Sequence, residues 1–441
     1  MFLPLLLAQL EFPGLLSDSL WQLPVYTAHP AAGPGFLLYR YPLELEGIPL
    51  RFANDPALLH STPFVISGRS LSLRHPEADK PITTAYSEQA GAWGFSRFGA
   101  LFARGLGATG RVLGTFDYNE FGFLDEQVVS HQGLLGASGS VRGINLDGLV
   151  LSASRDSLSW LHARGGLGFG PVGLTGWKTS SGPYGSGGLS LALRAKSISL
   201  ALSREELSWE GHFTGLWAPR LSWNSGGLGA WAGWLLADSG HGPVIGARAS
   251  GSVGSIEMGY RTDIPDPAFM PRLEGTISEA YISGEARRFG LAARADAGWG
   301  DWLYGYTGDS GGITGLGHRG RASGGLEGNW ALGPLLIGAG GQAAWFSVPA
   351  PEQFYWKGGG LFGIRLSLLE GDLAIVPSVS GHYYGEPFNG LWTTARLDLT
   401  FYRAVRAYAS LDNLGDDTLC FFGQRWKGRV WRFGASLVLW D

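Results

Sequence analysis

The chain has 441 residues, of which 45% are hydrophobic and only 16% charged, with a formal net charge of −4. Ordinary soluble domains carry about 25% charge, no apolar run nears the roughly 18 residues of a membrane helix, and this charge balance gives no reason to expect nucleic acid as a partner. Glycine at 71 residues weakens helices without collagen's three-residue repeat, and with 13% aromatics it leaves alternating strands as the material of the fold.

The chain opens with Met1-Phe-Leu-Pro-Leu-Leu-Leu-Ala-Gln9, a short apolar core closed by Ala8. Residues 1–8 therefore read as a secretory signal peptide, although the basic start of such signals is missing. The stretch 9–80 follows as a segment of its own. It contains Leu23, Pro24, Val25, Tyr26, Thr27 and Ala28 in a row, and later Glu46-Gly-Ile-Pro-Leu50.

From Pro81 onward, turn-like stretches rich in Gly, Asn, Asp, Ser and Pro alternate between two kinds. Short ones fall at 105–108, 142–145, 168–173, 194–197, 224–227, 252–255, 286–290, 331–334, 369–372 and after Tyr402. Longer or more polar ones fall at 87–91, 119–127, 153–158, 178–186, 204–207, 237–243, 262–271, 301–317, 348–356, 384–389 and 413–427. The segments between them are mostly about 8 to 16 residues long, suited to tilted membrane strands. There are about 22, and an even number returns both ends to the side of the short turns, as in bacterial outer-membrane barrels. The sequence predicts an all-β fold: a transmembrane antiparallel β-barrel of about 22 strands over 81–441, preceded by the short segment 9–80.

The strands sort their residues by face. Phe362, Ile364, Leu366 and Leu368 alternate with Gly363, Arg365 and Ser367, and Leu397, Leu399 and Phe401 alternate with Arg396, Asp398 and Thr400. Further on, Arg406, Ser410 and Asp412 oppose Val405, Ala407, Ala409 and Leu411. In the final strand Trp431, Phe433, Ala435, Leu437 and Leu439 oppose Arg432, Gly434 and Ser436. A charge facing lipid costs about 2–4 kcal/mol at mid-membrane, so Arg365, Arg396, Asp398, Arg406 and Arg432 are expected in the lumen. Trp177, Trp223, Trp302, Trp330, Trp356 and Trp392 fall near strand ends, where an amphipathic ring suits the headgroup level. Residues 427–440 are expected to close the sheet against a first strand near 81–87, because an open edge in lipid leaves backbone groups unsatisfied.

The last residues resemble a known family. Arg432-Phe-Gly-Ala-Ser-Leu-Val-Leu439 follows the polar-x-Gly-x-x-apolar-x-apolar insertion signal of outer-membrane proteins. Ala409-Ser-Leu-Asp-Asn-Leu-Gly-Asp-Asp417 with Gly428-Arg429 resembles the end of TonB-dependent receptors, where an Asn-Leu-x-Asp turn precedes a Gly-Arg that opens the final strand. Gly415 stands where that family has an aromatic, and Leu419 where a tyrosine is common. Leu23 to Ala28 looks like a TonB box, which TonB captures by strand addition; an extended periplasmic linker fits the same six residues equally well. Glu46-Gly-Ile-Pro-Leu50 looks like the Asp-Gly-Val-Pro strand of a plug domain.

The resemblance implies an outer-membrane uptake protein with a reduced plug in 9–80, importing a scarce bulky solute such as a metal chelate, siderophore or cobalamin. Its implied partners are membrane lipid, TonB and the barrel-assembly machinery, and no cofactor is called for. External loops carrying Tyr304, Tyr306, Phe354, Tyr355, Tyr383 and Tyr384 are the candidate ligand contacts, although girdle or packing roles suit the same residues. A passive diffusion porin or plugless channel is the alternative, and a structural envelope protein the third. Catalysis is not expected. Gly308-Asp-Ser-Gly-Gly312 and Thr27-Ala-His29 match protease fragments, but a serine nucleophile needs its base within hydrogen-bond reach, and here only Ser310 with His318 share a loop. The nine histidines and the single Cys420 form no metal-binding spacing.

Overall fold

The computed structural model describes residues 43–45, 48–50, 64–67, 70–73, 82–90, 96–106, 109–123, 126–155, 158–182, 184–209, 211–264, 276–307, 312–347, 356–385, 389–402, 404–417, 419–421, 424–426 and 428–440. The period-two patterning is realised as a single closed barrel, antiparallel at every joint. It contains 23 strand segments. Two of them, Trp356–Ile364 and Leu366–Leu368, are separated only by Arg365 and both pair with Leu373–Tyr384. They are one interrupted stave, so the wall has 22 staves among the described residues.

Closure follows the expected pairing. Val430–Trp440 runs antiparallel to Ile82–Ala90, from Arg432 opposite Ala90 to Trp440 opposite Ile82. Its other edge pairs with Val405–Asp412. From Arg432 to Leu437 the last strand is thus paired on both edges, as lipid demands.

All ten short turns fall where the sequence puts them, between strand ends such as Val141 and Ile144, Ala195 and Ile198, or Leu332 and Leu335. Left-handed residues fill them: Arg142 and Gly143, Lys196, and Gly333 have positive φ. The other rim departs from the reading. The stretch 204–207 lies inside the strand Ile198–Trp209, and most of 301–317 extends Leu291–Thr307 and Gly312–Leu332. A run of charges had looked like a loop, but a strand accepts charges on either face when they lie near its polar end.

The face assignments hold. Phe362, Leu366, Leu368, Leu397, Leu399, Phe401, Trp431, Phe433 and Leu437 are exposed on the outside of the wall. Gly363, Ser410, Asp412, Arg432 and Gly434 are buried on the inside. The girdle reading needs correction at two positions. Trp223, Trp330 and Trp356 face outward, whereas Trp177 and Trp392 are buried. Trp177 shares the inner face with Thr179 and Ser181 and packs over Gly188, whose missing side chain makes room for the ring.

Separate from the wall, Leu43–Leu45, Ile48–Leu50, Phe64–Ser67 and Ser70–Leu73 form a four-stranded sheet. Its centre is mixed: Leu43–Leu45 pairs antiparallel with Ile48–Leu50 and parallel with Ser70–Leu73.

Candidate lumen site

An inward-facing wall of alternating strands presents every second side chain to the lumen, and the charges of this chain collect there. Several are matched. Arg164 meets Asp147 at 3.1 Å. Arg261 holds Glu279 with two nitrogens, at 2.5 and 3.1 Å, while its guanidinium stacks on Tyr281. Arg396 holds Asp398 at 2.6 Å and lies 4.0 Å from the centre of the Tyr408 ring. Arg432 donates to Asp412 across the penultimate joint, with both side chains buried. Such charge-assisted pairs are the usual way a low-dielectric wall carries ions.

Arg111, Arg194, Arg220 and Arg248 are among the described arginines that lack a carboxylate partner. The last three lie on alternate staves of one arc. Arg194 is opposite Ser199, Arg220 lies between Ala201 and Gly233, and Arg248 is opposite Gly229. Strands stand about 4.8 Å apart, so adjacent members are separated by roughly 10 Å across the wall. The residues between them are small, which leaves the guanidinium groups open to the lumen. Arg220 is held over the Trp231 ring at 5.2 Å, and Arg248 donates to Asn224 at 3.3 Å. Arg111, Arg194 and Arg220 border a cavity of about 760 Å³ that also reaches Glu205, Arg261 and Asp263.

Nearer the opposite rim the same arc carries a buried polar row. His162 is opposite Thr179, Thr179 opposite Ser186, Ser186 opposite Leu207, and Leu207 opposite Thr214. All five are buried. His162 Nδ1 bonds the Thr179 hydroxyl at 2.9 Å, while its Nε2, the Ser186 hydroxyl and the Thr214 hydroxyl have no partner in the wall. Leu134 and Leu151 extend the row on the apolar side. The arc therefore grades from apolar, through neutral polar, to cationic along the lumen.

Of the residues expected at the site, Arg396, Asp398 and Arg432 form the ion pairs above. Arg365 interrupts its stave and is half-buried, and Arg406 is exposed. Tyr383 is corrected: it stands on the outer face, stacked on Trp356 at 5.0 Å, which is a girdle position facing lipid. Tyr304, Tyr306 and Tyr384 lie in strands whose backbones are described but whose side chains are not. Leu23 to Ala28, Phe354, Tyr355 and Ser310 lie outside the described residues, and His318 has a described backbone opposite Asp301. Sequence reasoning missed Arg194, Arg220 and Arg248. Their one-residue offset from outward residues, as in Leu193 beside Arg194 and Leu221 beside Arg220, was the signal available.

The Asn-Leu-x-Asp turn has a visible purpose. Asn413 is fully buried and its amide donates to the Asp417 carbonyl at 2.9 Å and to the Gly428 carbonyl at 3.1 Å. Its side-chain oxygen accepts from the Asp417 amide at 3.0 Å. One side chain thus ties the penultimate strand to the start of the last. Gly428, at φ +103, takes a backbone shape that side chains resist.

Comparison with solved structures gives the same barrel. The FrpB iron transporter from Neisseria meningitidis superposes with a TM-score of 0.56 at 10% identity, covering 84% of each chain. The siderophore receptor PirA from Acinetobacter baumannii gives 0.61 at 8% identity, covering 98% of this chain and 97% of its own. The copper transporter OprC gives 0.56 at 10% identity, covering 84% and 82%. No protein-family model matches the sequence, and no curated protein matches it. The fold is that of the TonB-dependent receptor barrels.

Proposed function

We propose that the chain is an outer-membrane uptake protein of the TonB-dependent kind, importing a bulky anionic solute such as a metal chelate. The observation that carries this reading is the closed wall of 22 staves. Porins of 16–18 strands leave an open aqueous channel, whereas 22-stranded outer-membrane transporters have a plugged lumen. The solved structures of the same fold are described as iron, siderophore and copper carriers, which supports a chelate as cargo. Arg194, Arg220 and Arg248, uncompensated and spaced along one arc, suit carboxylates or catecholates on such a chelate. In this reading the four-stranded sheet of 43–73 acts as the reduced plug, residues 1–8 direct export, 9–80 and 81–441 work as plug and barrel, and Leu23 to Ala28 reach TonB.

Two measurements test it. Removal of residues 23–28 should abolish energised uptake of a radiolabelled ferric chelate while the barrel still assembles; unchanged uptake removes TonB from the account. In planar bilayers the intact chain should give little steady current. A large, constant conductance would favour the passive porin.

A further inference from the structure

The outer face of the wall carries a polar patch that uptake does not use. Below it, on five neighbouring staves, lie Leu167, Leu174, Leu191, Leu202 and Pro219, then Phe169, Val172, Leu193, Leu200 and Leu221, each row fixed by the strand register. This is an apolar belt of the kind that contacts acyl chains. The next rows toward the rim opposite the chain ends are different. Lys178 is opposite Gly187 and Gly187 opposite Glu206, and Arg204 lies one outward position below Glu206. Lys178, Arg204 and Glu206 are all exposed on this face.

Arg204 and Glu206 satisfy one another at 2.6 Å, and Arg204 also leans over Trp217 at 5.2 Å. Among the described residues Lys178 has no carboxylate partner. A lone cation on a lipid-facing wall is costly unless something at that level answers it. Beside it, across the rows of Ser180 and Leu161, the wall is hollowed into a pocket of about 480 Å³. Its outward lining combines His131, Gly133, Ser152, Ser154, Ser159 and Ser180 with the apolar Phe116 and Leu161. Ser152 is opposite Gly133, with its hydroxyl 3.3 Å from where a Cβ there would stand, so the hydroxyl lies on the outer surface.

We propose that this patch holds the phosphate headgroup of an anionic membrane lipid, with its acyl chains along the leucine belt. Lys178 supplies the charge that a phosphate oxygen needs. The serine hydroxyls and His131 supply hydrogen bonds to the polar remainder of the headgroup. Gly187 keeps the wall bare beside Lys178, so a bulky phosphate can approach the ammonium. The level fits, because the patch stands directly above the apolar belt, where headgroups begin. The inference rests on the wall being lipid-facing and is independent of what the lumen transports.

The test is native mass spectrometry of the full chain released from micelles doped with phosphatidylglycerol, or with phosphatidylcholine as the neutral comparison. The wild-type chain should retain one phosphatidylglycerol per barrel, with retention of phosphatidylcholine at least tenfold lower. Lys178→Gln should weaken retention by roughly tenfold or more, as expected for loss of one charge-assisted contact. Ser152→Leu, which fills the pocket without touching the charge, should do the same; Lys196→Gln, in a turn at the other rim, should change nothing. Heat-modifiable gel migration establishes that each variant is folded, so a failure of one leaves the other decisive. Equal retention in wild type, K178Q and S152L would overturn the proposal, as would displacement of the lipid by millimolar inorganic phosphate, which would mark a free-anion site. Uptake is not measured, so failure here leaves the transport reading untouched.

Discussion

Replacing Asp412 by Ala should destabilise the barrel at its closing strand. The Arg432 side chain is 6% exposed and that of Asp412 4%. Two guanidinium nitrogens, Nε and one terminal nitrogen, donate to its two carboxylate oxygens. Removing the carboxylate leaves a buried cation without its partner, and breaking such a pair from one side costs about 3–5 kcal/mol. Asp412→Asn keeps one acceptor and loses the charge, so it should cost less, on the order of 1.5–3 kcal/mol. Asp412→Ala combined with Arg432→Met removes both charges and should recover most of the loss, because apolar replacement of a whole buried pair is often neutral. The assay is equilibrium unfolding in urea from lipid vesicles, followed by the emission of the 18 tryptophans. A loss below about 1 kcal/mol in D412A, or a double variant as unstable as the sum of the singles, would refute the reasoning.

Leu202→Arg places a charge in the lipid-facing belt and should cost roughly 2–4 kcal/mol of insertion free energy, read by folding into vesicles, whereas Ser203→Arg on the lumen face of the same strand should cost far less. Asn413→Ala strips three hydrogen bonds from a fully buried turn and should destabilise by about 3 kcal/mol, seen as a lower urea midpoint and slower closure. Changing Arg194, Arg220 and Arg248 together to Gln should leave the urea midpoint nearly unchanged, since none has an ion-pair partner to lose. It should weaken uptake of an anionic ferric chelate at least tenfold in apparent affinity, checked by the concentration dependence of uptake.

What the sequence made legible was the wall. Alternation is a direct consequence of strand geometry, so Leu397 and Arg396 declare their faces without any tertiary information. Short turns were equally readable, because positive φ at positions such as Gly143 and Gly333 restricts the residues that can serve. The opposite rim was read less well. Arg204, Glu205 and Glu206 looked like a link, yet Glu205 points inward and its neighbours pair outward within an unbroken strand. Polarity marks a loop only where the alternative is a dry environment, and at the headgroup level it is not. Trp177 and Trp392 failed for a related reason: nearness to a strand end says nothing about which face a ring takes. The arginine arc was hidden because it is made by register across five strands, and register is settled by pairing and not by any one segment.

The two rims divide the labour of the barrel unequally. At the rim opposite the chain ends, five successive joints leave only two residues between strands: Phe123 to Glu126, Arg155 to Leu158, Ser181 to Tyr184, Trp209 to His212 and Ala237 to Gly240. Two residues suffice for a hairpin turn and for nothing more. The longer joints on that rim follow Asp263, Thr307, Phe346, Tyr384, Asp412 and Ala90, in order around the rest of the wall. The arc with the two-residue joints carries the buried polar row, the 760 Å³ cavity and the three open arginines. The side chains that this arc presents to the lumen therefore belong to its strands. Strands hold their side chains more rigidly than loops do, so the charge and shape of this arc are fixed by the sheet.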